Sequence, residues 1–444
     1  MKQLRAVLFL IIMLWALPAN ATIEEVVSPG GIKAWLVQDS KLPLISMQFA
    51  FRGGVEQDPS DKQGLTELTV NLLTEGAGKY DSAAFQQALA DNSIAMQFNV
   101  GRDAIFGEIK TLKMDQNLAF DLLHLAVTNP RFDGDEINRQ RDEQLTSLKI
   151  QLGSPDWQAR YALFSYLFAG HPYGERMLGT AASLNSLKRE DLQNFAAKHF
   201  ARDNLIIAVT GDISREELAA TLDRVFGDLP LHAQLAPIDE VKFPQQPQTI
   251  LVPREGTQTE MMFAMPGPKR TDADWYAADI VNYILGSGGF SSRLMHEVRD
   301  KRGLTYGINT MLSPMEHAGI VVGEAATDNP KVGQAWSVVM QVWQGIYHDG
   351  VTEDEVNAAK DYLTGALPLA MTSTDKITAV LVDLQMNHLG QDYLEKRNSL
   401  IRGVTPQDIQ DVIHRWFDPE KLTVVMVGQP QGITPTETWQ QVRE

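Results

Sequence analysis

The residue types that most often perform metal or nucleophilic chemistry are sparse and scattered in this 444-residue chain. It has no cysteine, and no two of its nine histidines lie one helical turn apart. A zinc ion would therefore need ligands from distant segments. The histidines are His124, His171, His199, His232, His296, His317, His348, His388 and His414. His171 and His296 each stand alone beside a helical pattern, where a surface or packing role is the commoner one.

Motifs for other reaction classes are also weak. The chain contains no G-x-S-x-G nucleophile turn. Residues 286–289 are glycine-rich but lack the lysine of a phosphate-binding loop. We interpret this segment as a flexible turn between two helices.

Residues 1–21 have the pattern of a cleavable signal peptide. Lys2 and Arg5 precede a short apolar run, residues 6–17, and Ala-Asn-Ala at 19–21 is a typical cleavage site. The run is too short to span a bilayer, and no later segment is long and apolar enough to do so. Without cysteine there is neither a disulfide framework nor a lipid-modified cysteine. We therefore predict a periplasmic protein that begins near Thr22, with no integral membrane segment in the mature chain.

Charge disfavours some partners. Removing Lys2 and Arg5 takes the formal net charge from −17 to −19. Such acidity disfavours nucleic acid and anionic membrane surfaces, although it also simply promotes solubility.

The chain contains an internal duplication. Residues 187–212 align without gaps with residues 404–429, at an offset of 217. Both segments have a helical pattern, an aromatic residue (Phe200 and Phe417), a polar turn, and a β-rich strand that ends at a glycine (Gly211 and Gly428). Matched landmarks at one offset favour duplication over a chance recurrence.

A weaker similarity extends the duplication towards the start of each half. Residues 65–73 and 277–285 are helical patterns, each after an extended apolar segment. Each half thus has strands, then helices, then a closing strand, which predicts an α+β fold. We predict a first domain at 22–228, a proline-containing extended linker at 229–248, and a second domain at 249–444. Two such lobes could face each other across a cleft.

Several segments together resemble one known family. They are GGVEQDPSDKQGLTEL at 53–68, HPYG at 171–174, LGSGGFSSRL at 285–294 and SSRLMHEVRDKRGLTY at 291–306. Their order and spacing resemble the pitrilysin, insulinase and mitochondrial processing peptidase family of zinc peptidases, which carry an inverted H-x-x-E-H motif. The resemblance implies paired α+β domains that form half of a clamshell chamber around an extended peptide.

The zinc motif itself is degenerate. Aligned on Gly64-Leu65, the motif places Glu67 at the first histidine, Val70 at the catalytic glutamate and Asn71 at the second histidine. The third ligand, a later glutamate, should fall near residues 147–149, where there is no carboxylate; Glu143 is out of phase. We therefore expect no metal in this chain and no catalytic residue within it.

A second set of family positions is retained. Arg299 and Tyr306 match the arginine and tyrosine that bind substrate near the scissile bond in active relatives. We predict a helix end at residues 295–302, capped by Gly303, and a strand that begins at Leu304. Without the resemblance, a surface ion pair for Arg299 and simple packing for Tyr306 would be preferred.

The resemblance implies a metal-free subunit of a heterodimeric zinc peptidase. A homologous partner would hold the zinc, and this chain would bind the peptide substrate through Arg299, Tyr306 and a sheet edge, for which residues 98–112 are a first-lobe candidate. A zinc-free scaffold or peptide-binding protein is the alternative from another class. An independent metallopeptidase with a reorganised site ranks third.

Overall fold

The computed structural model describes residues 23–443, so the predicted signal peptide lies outside the described residues. The first lobe is built on a mixed six-stranded sheet in the order β1-β2-β6-β3-β5-β4. Its strands are β1 (Glu24–Val27), β2 (Lys33–Gln38), β3 (Leu44–Arg52), β4 (Ala95–Val100), β5 (Ala104–Leu112) and β6 (Leu205–Gly211). Its helices are α1 (Leu65–Asn71), α2 (Ser82–Asp91), α3 (Gln116–Thr128), α4 (Gly134–Gly153), α5 (Pro155–Leu167), α6 (Ala181–Ser186), α7 (Arg189–His199) and α8 (Arg215–Phe226).

The second lobe repeats this plan with the sheet order β12-β7-β11-β8-β10-β9. Its strands are β7 (Thr249–Pro253), β8 (Gln258–Pro266), β9 (Ile308–Pro314), β10 (Gly319–Asp328), β11 (Thr423–Gly428) and β12 (Glu437–Thr438). Its helices are α9 (Trp275–Asn282), α10 (Val332–Asp349), α11 (Glu353–Ala366), α12 (Thr374–Met386), α13 (Tyr393–Gly403) and α14 (Pro406–Trp416). The predicted α+β class with two duplicated lobes is confirmed.

The duplication is visible at the level of single residues. Helix α14 begins and ends 217 positions after α7. Gly211 and Gly428, which end the two closing strands, have φ values of +138° and +155°. A Cβ at Gly211 would collide with the carbonyl oxygen of Leu44, and one at Gly428 would lie 2.5 Å from the hydroxyl of Thr259. Both glycines are therefore required by backbone conformation and by close approach.

Each sheet buries two faces. On β3, the alternating side chains of Ile45, Met47, Phe49 and Phe51 pack against helices of their own lobe. The opposite face of the first sheet, which includes Ala50, is covered by α12 of the second lobe. On the face towards its own lobe β3 is apolar, whereas the face under α12 also carries Ser46, Gln48 and Arg52. Ser46 and Arg52 hydrogen-bond to α12, at Thr374 and at the carbonyl of Met386.

The covering helices are exchanged between the lobes. Helix α5 of the first lobe packs on β8 and β11 of the second sheet through Ala159, Leu163 and Leu167. Helix α12 occupies the equivalent place on the first sheet through Leu381 and Leu384. Each lobe therefore completes the core of the other, and the two lobes pack directly instead of being joined only by the connecting segment.

The connecting segment between α8 and β7 has neither helix nor strand. It follows the surface of both lobes, since Gln234 N–H donates to the carbonyl of Lys198 and Val241 N–H to that of His317. Within residues 23–443, no helix combines the length and the apolar character needed to cross a bilayer.

Candidate functional site

Helix α1, on which the sequence predicts the degenerate motif, is fixed by a partly buried carboxylate. Asp58 accepts hydrogen bonds from the backbone N–H of Gly64 (2.8 Å) and of Thr66 (3.0 Å). Burial raises the pKa of Asp58 to about 7, and the bonds from Thr66 and Gly64 oppose that rise. Gly64 adopts φ +85°, and a Cβ there would lie 2.6 Å from the carbonyl oxygen of Leu178. These contacts explain the Gly-Leu pair that starts the helix.

The half-buried side of α1 carries a carboxylate and an amide. Glu67 and Asn71 lie one turn apart, and the Asn71 amide donates to the Glu67 carboxylate at 3.4 Å. Burial raises the pKa of Glu67, and the bond from Asn71 opposes that rise. Val70 belongs to the first-lobe core and is 1% exposed. Residues 67, 70 and 71 therefore offer no imidazole, and Val70, predicted from the sequence to stand at the general-base position, has no group that can take a proton.

The helix expected to supply a third ligand, α4, contributes amides to this region. The Gln144 side chain donates to the carbonyls of Gly64 (3.2 Å) and Leu178 (3.1 Å). Glu143 pairs with Arg139 at 2.9 Å and is largely exposed. Among residues 23–443, no three histidine, aspartate or glutamate side chains are grouped so that they could hold a metal ion. The residues present do not fit a zinc site of the family's kind.

The helix end that carries Arg299 has a wide, π-type turn over Met295–Asp300. Lys301 N–H donates to the carbonyl of His296, and Leu304 N–H donates to that of Val298. Gly303 has a φ of +59°. This is the left-handed conformation of a helix C-terminal cap. The predicted cap is confirmed, whereas the helix itself is wider than an α-helix.

Tyr306 lies in a loop, so the predicted strand start at Leu304 was wrong. The reason is that Thr305 uses its hydroxyl, not its backbone, to reach the carbonyl of Ala326 on β10 (2.7 Å). Pairing between β9 and β10 begins only at Ile308. Outside the ladder, the Tyr306 side chain is 89% exposed at the start of the edge strand β9.

The structure brings Arg299 and Tyr306 together. The Nε of Arg299 donates to the carbonyl of Tyr306 at 3.0 Å, and its Nη1 pairs with Asp300 at 2.8 Å. The guanidinium also lies 4.9 Å from the ring of Phe290, itself an exposed side chain. Arg299 is thus held in one orientation against the backbone of Tyr306, whose side chain is exposed, and both side chains carry groups that can donate hydrogen bonds to a peptide.

Comparison with known proteins shows the family of the chain. Residues 36–181 match the family model described as "Insulinase (Peptidase family M16)". Residues 186–363 match the model described as "Peptidase M16 inactive domain". The chain belongs to the M16 peptidase family. The family resemblance seen in the sequence is confirmed.

The curated relatives include a protein named as a non-peptidase homolog and proteins named as zinc proteases. The chain is 24% identical to a protein of Helicobacter pylori named "Non-peptidase homolog YmxG", over 93% of this chain and 95% of that protein. It is 26% identical to an "Uncharacterized zinc protease" of Mycobacterium leprae, over 78% and 82%. Solved structures include a "peptidase M16 inactive domain" of Pseudomonas fluorescens, with TM-score 0.86, 27% identity, and 93% and 99% coverage. A chain of Complex III2 from Candida albicans shares the fold at 16% identity, TM-score 0.77, and 93% and 97% coverage.

The HPYG segment of this M16 chain joins the two lobes. The hydroxyl of the fully buried Tyr173 donates to the Asp103 carboxylate and accepts from the N–H of His317 at 3.1 Å. Asp103 also accepts from the N–H of Glu316 at 3.0 Å. His171 uses both ring nitrogens, one with the N–H of Tyr173 and one with the carbonyl of Asp239. His171 therefore belongs to the contacts that join the two lobes. Asp103 also belongs to this junction, and no sequence motif indicated it.

We expect Glu56, beside this junction, to make stability depend on pH. Burial, with the Asp103 charge second, raises its pKa from 4.5 to about 8. A group whose pKa is raised on folding adds stability that is complete below its unfolded pKa. For Glu56 that stability is lost as pH rises through about 8.

Replacing Glu56 with glutamine, which still accepts from the N–H of Gly54, should flatten this dependence. The expected change is on the order of 2 kcal/mol between about pH 5 and 8. Urea unfolding across this range measures it, with Glu25→Gln as the exposed control. Parallel curves for the Glu56 variant and wild type would contradict the assignment.

Proposed function

We propose that this chain is the metal-free subunit of a heterodimeric zinc peptidase of the periplasm. A homologous partner chain supplies the zinc, and this chain contributes Arg299 and Tyr306 to the binding of the peptide substrate. The observation that carries the proposal is the contrast between the two lobes. The helix predicted to carry the zinc motif has the buried Val70 at the base position, while Arg299 is oriented by its bond to the Tyr306 carbonyl and the Tyr306 side chain is exposed.

Physical chemistry supports that division of labour. A peptide-cleaving zinc site needs converging ligands and a base that activates water, which Glu67, Val70 and Asn71 do not offer. Arginine and tyrosine, by contrast, act by donating hydrogen bonds, and such donors can be supplied from a second chain. The free outer edge of β9 adds backbone groups that can pair with an extended peptide. In the first lobe the equivalent edge is β4, of which only residues 98–100 belong to the candidate segment 98–112. Most of that segment forms β5, which pairs with both β3 and β4 and is therefore not an edge.

Mixing the purified chain with an M16 homologue that retains the zinc motif tests the proposal. We expect a one-to-one complex by size-exclusion chromatography and chelator-sensitive peptide cleavage only by the mixture. The isolated chain should hold no stoichiometric zinc. Zinc bound tightly by the chain alone, with cleavage, would instead establish an independent metallopeptidase.

One observation favours the alternative that the chain is a zinc-free scaffold protein. The same fold occurs in a chain of Complex III2 from Candida albicans. A chain that ignores zinc-containing homologues, and that co-purifies from the cell envelope with other proteins, would favour this role. The localisation itself is tested by periplasmic fractionation and by an N-terminus at Thr22.

A further inference from the structure

A crevice of about 580 Å³ lies between the two lobes, away from Arg299 and Tyr306. Its walls come from the β4–β5 turn, from α5, from the loop after β8, from the β9–β10 turn and from the end of α12. Apolar side chains that include Phe106, Phe164, Met315 and Met386 line part of it. Its size falls within the range typical of small-ligand sites, roughly 300–1,000 Å³.

Three arginines line this crevice and form few salt bridges. Within the described part of the chain, neither Arg102 nor Arg270 forms a salt bridge with a carboxylate, and Arg160 reaches one only at 3.8 Å, on Glu324. Arg102 donates to the carbonyl of Tyr173 at 2.7 Å and lies 5.0 Å from the ring of Phe164. Burial lowers the pKa of Arg102 to about 10. The shift reflects the cost of holding a charge there.

Arg270 is held in place by aromatic rings. Its guanidinium lies 4.7 Å from the ring of Trp275, 5.6 Å from that of Tyr276 and 5.2 Å from that of Tyr393, whose hydroxyl it also contacts. Rings of this kind fix the orientation of a guanidinium without cancelling its charge. The group is therefore held in one orientation at the crevice lining.

The acidic side chains of the lining are already engaged. Glu316 pairs with Arg52 at 2.9 Å, and Glu240 pairs with Lys269. Asp103 accepts two hydrogen bonds at the lobe junction. Asp383 accepts from the amide of Asn387 at 2.9 Å, and burial raises its pKa although the Arg270 charge opposes that rise. The donors that remain available in the crevice thus belong mainly to guanidinium groups.

We propose that the interlobe crevice binds a small oxyanion through Arg160, Arg270 and Arg102. The planar fork of a guanidinium matches a carboxylate or a phosphate. The ligand is either the carboxylate end of a peptide, whose apolar side chain would contact Phe106 and Phe164, or free phosphate. This site does not depend on a zinc-bearing partner, so it can be tested on the isolated chain.

Isothermal titration calorimetry at low ionic strength tests the site with acetyl-Ala-Phe, with the same peptide as its C-terminal amide, and with sodium phosphate. We expect the free carboxylate to bind at least about tenfold more tightly than the amide, the value of one charge-assisted hydrogen bond. Binding should weaken as salt is added. Phosphate binding without peptide binding would support the oxyanion site and assign it to the inorganic anion.

The matched variants are Arg160→Gln, Arg270→Gln and the control Arg176→Gln. The side chain of Arg160 is 51% exposed, so its loss should leave the fold intact. That loss should weaken binding about tenfold. Arg176 lies over the ring of Tyr161, and Tyr161 is on the same helix as Arg160. Arg176 itself does not line the crevice. Equal binding of acid and amide, no binding of either anion, or binding that survives both crevice variants would overturn the proposal.

Discussion

Tyr306→Phe and Arg299→Ala are each expected to lower peptide cleavage by the mixed complex about a hundredfold. Loss of one preorganised donor near the reacting carbonyl typically costs about 3 kcal/mol of transition-state stabilisation. The fold should not change, because Tyr306 is 89% exposed and Arg299 pairs with Asp300 at the surface. A surface ion pair is worth at most about 1 kcal/mol. Steady-state kinetics of the complex and thermal unfolding of the isolated chain provide the two readouts.

The controls for this prediction lie close to the changed residues. Arg302→Ala removes another arginine of the same helix end, one that bonds to Glu297 instead of to the Tyr306 loop. Tyr362→Phe removes the hydroxyl of another exposed tyrosine, which packs on Tyr283. Both should retain full activity. If Arg299→Ala and Tyr306→Phe behave like these controls, the assigned substrate-binding role is wrong.

Leu381→Ala should destabilise the whole chain by about 2–5 kcal/mol, the usual cost of removing a buried leucine side chain. Leu381 is fully buried on α12, but it packs in a cluster with Trp35, Val37 and Ala208 of the first sheet. A change in the second lobe should therefore expose the first. Chemical denaturation gives the free energy of unfolding, and hydrogen exchange of the β2 and β6 amides locates the effect.

Leu400→Ala is the matched control, because Leu400 is 44% exposed. A surface substitution usually changes stability by less than about 0.5 kcal/mol. Increased exchange confined to the second lobe after Leu381→Ala would show that the lobes unfold independently. It would then contradict the view that exchanged helices make them one cooperative unit.

The exchange of α5 and α12 has a consequence for the candidate site. Arg299 and Tyr306 stand on the second lobe, and Glu67 and Asn71 stand on the first. The helix exchange, the Tyr173–Asp103–His317 contacts and the Arg52–Glu316 pair fix the lobes relative to each other. Any partner chain would therefore meet one preformed surface, which reduces the ordering cost of association.

Several site features followed from residue identity. The absence of histidine at 67 and 71 and of a carboxylate at 70 decided the chemistry of α1 through side-chain type alone. Gly303 as a helix cap was also predictable, since its left-handed conformation is favourable mainly for glycine. The loop position of Tyr306 was not predictable from the sequence, because it depends on the hydrogen bond of the Thr305 hydroxyl to β10.

The sequence alone determined the duplication, the α+β class and the loss of the zinc ligands. Each of these depends on local spacing or on the chemical nature of single side chains, which a linear pattern records. Only the tertiary structure decided which sheet α5 and α12 cover, what the HPYG segment contacts, and that three arginines line one crevice between the lobes. Those features join residues far apart in the chain. The apolar face of a helix shows that it will be buried, but its sequence does not specify which sheet will cover it.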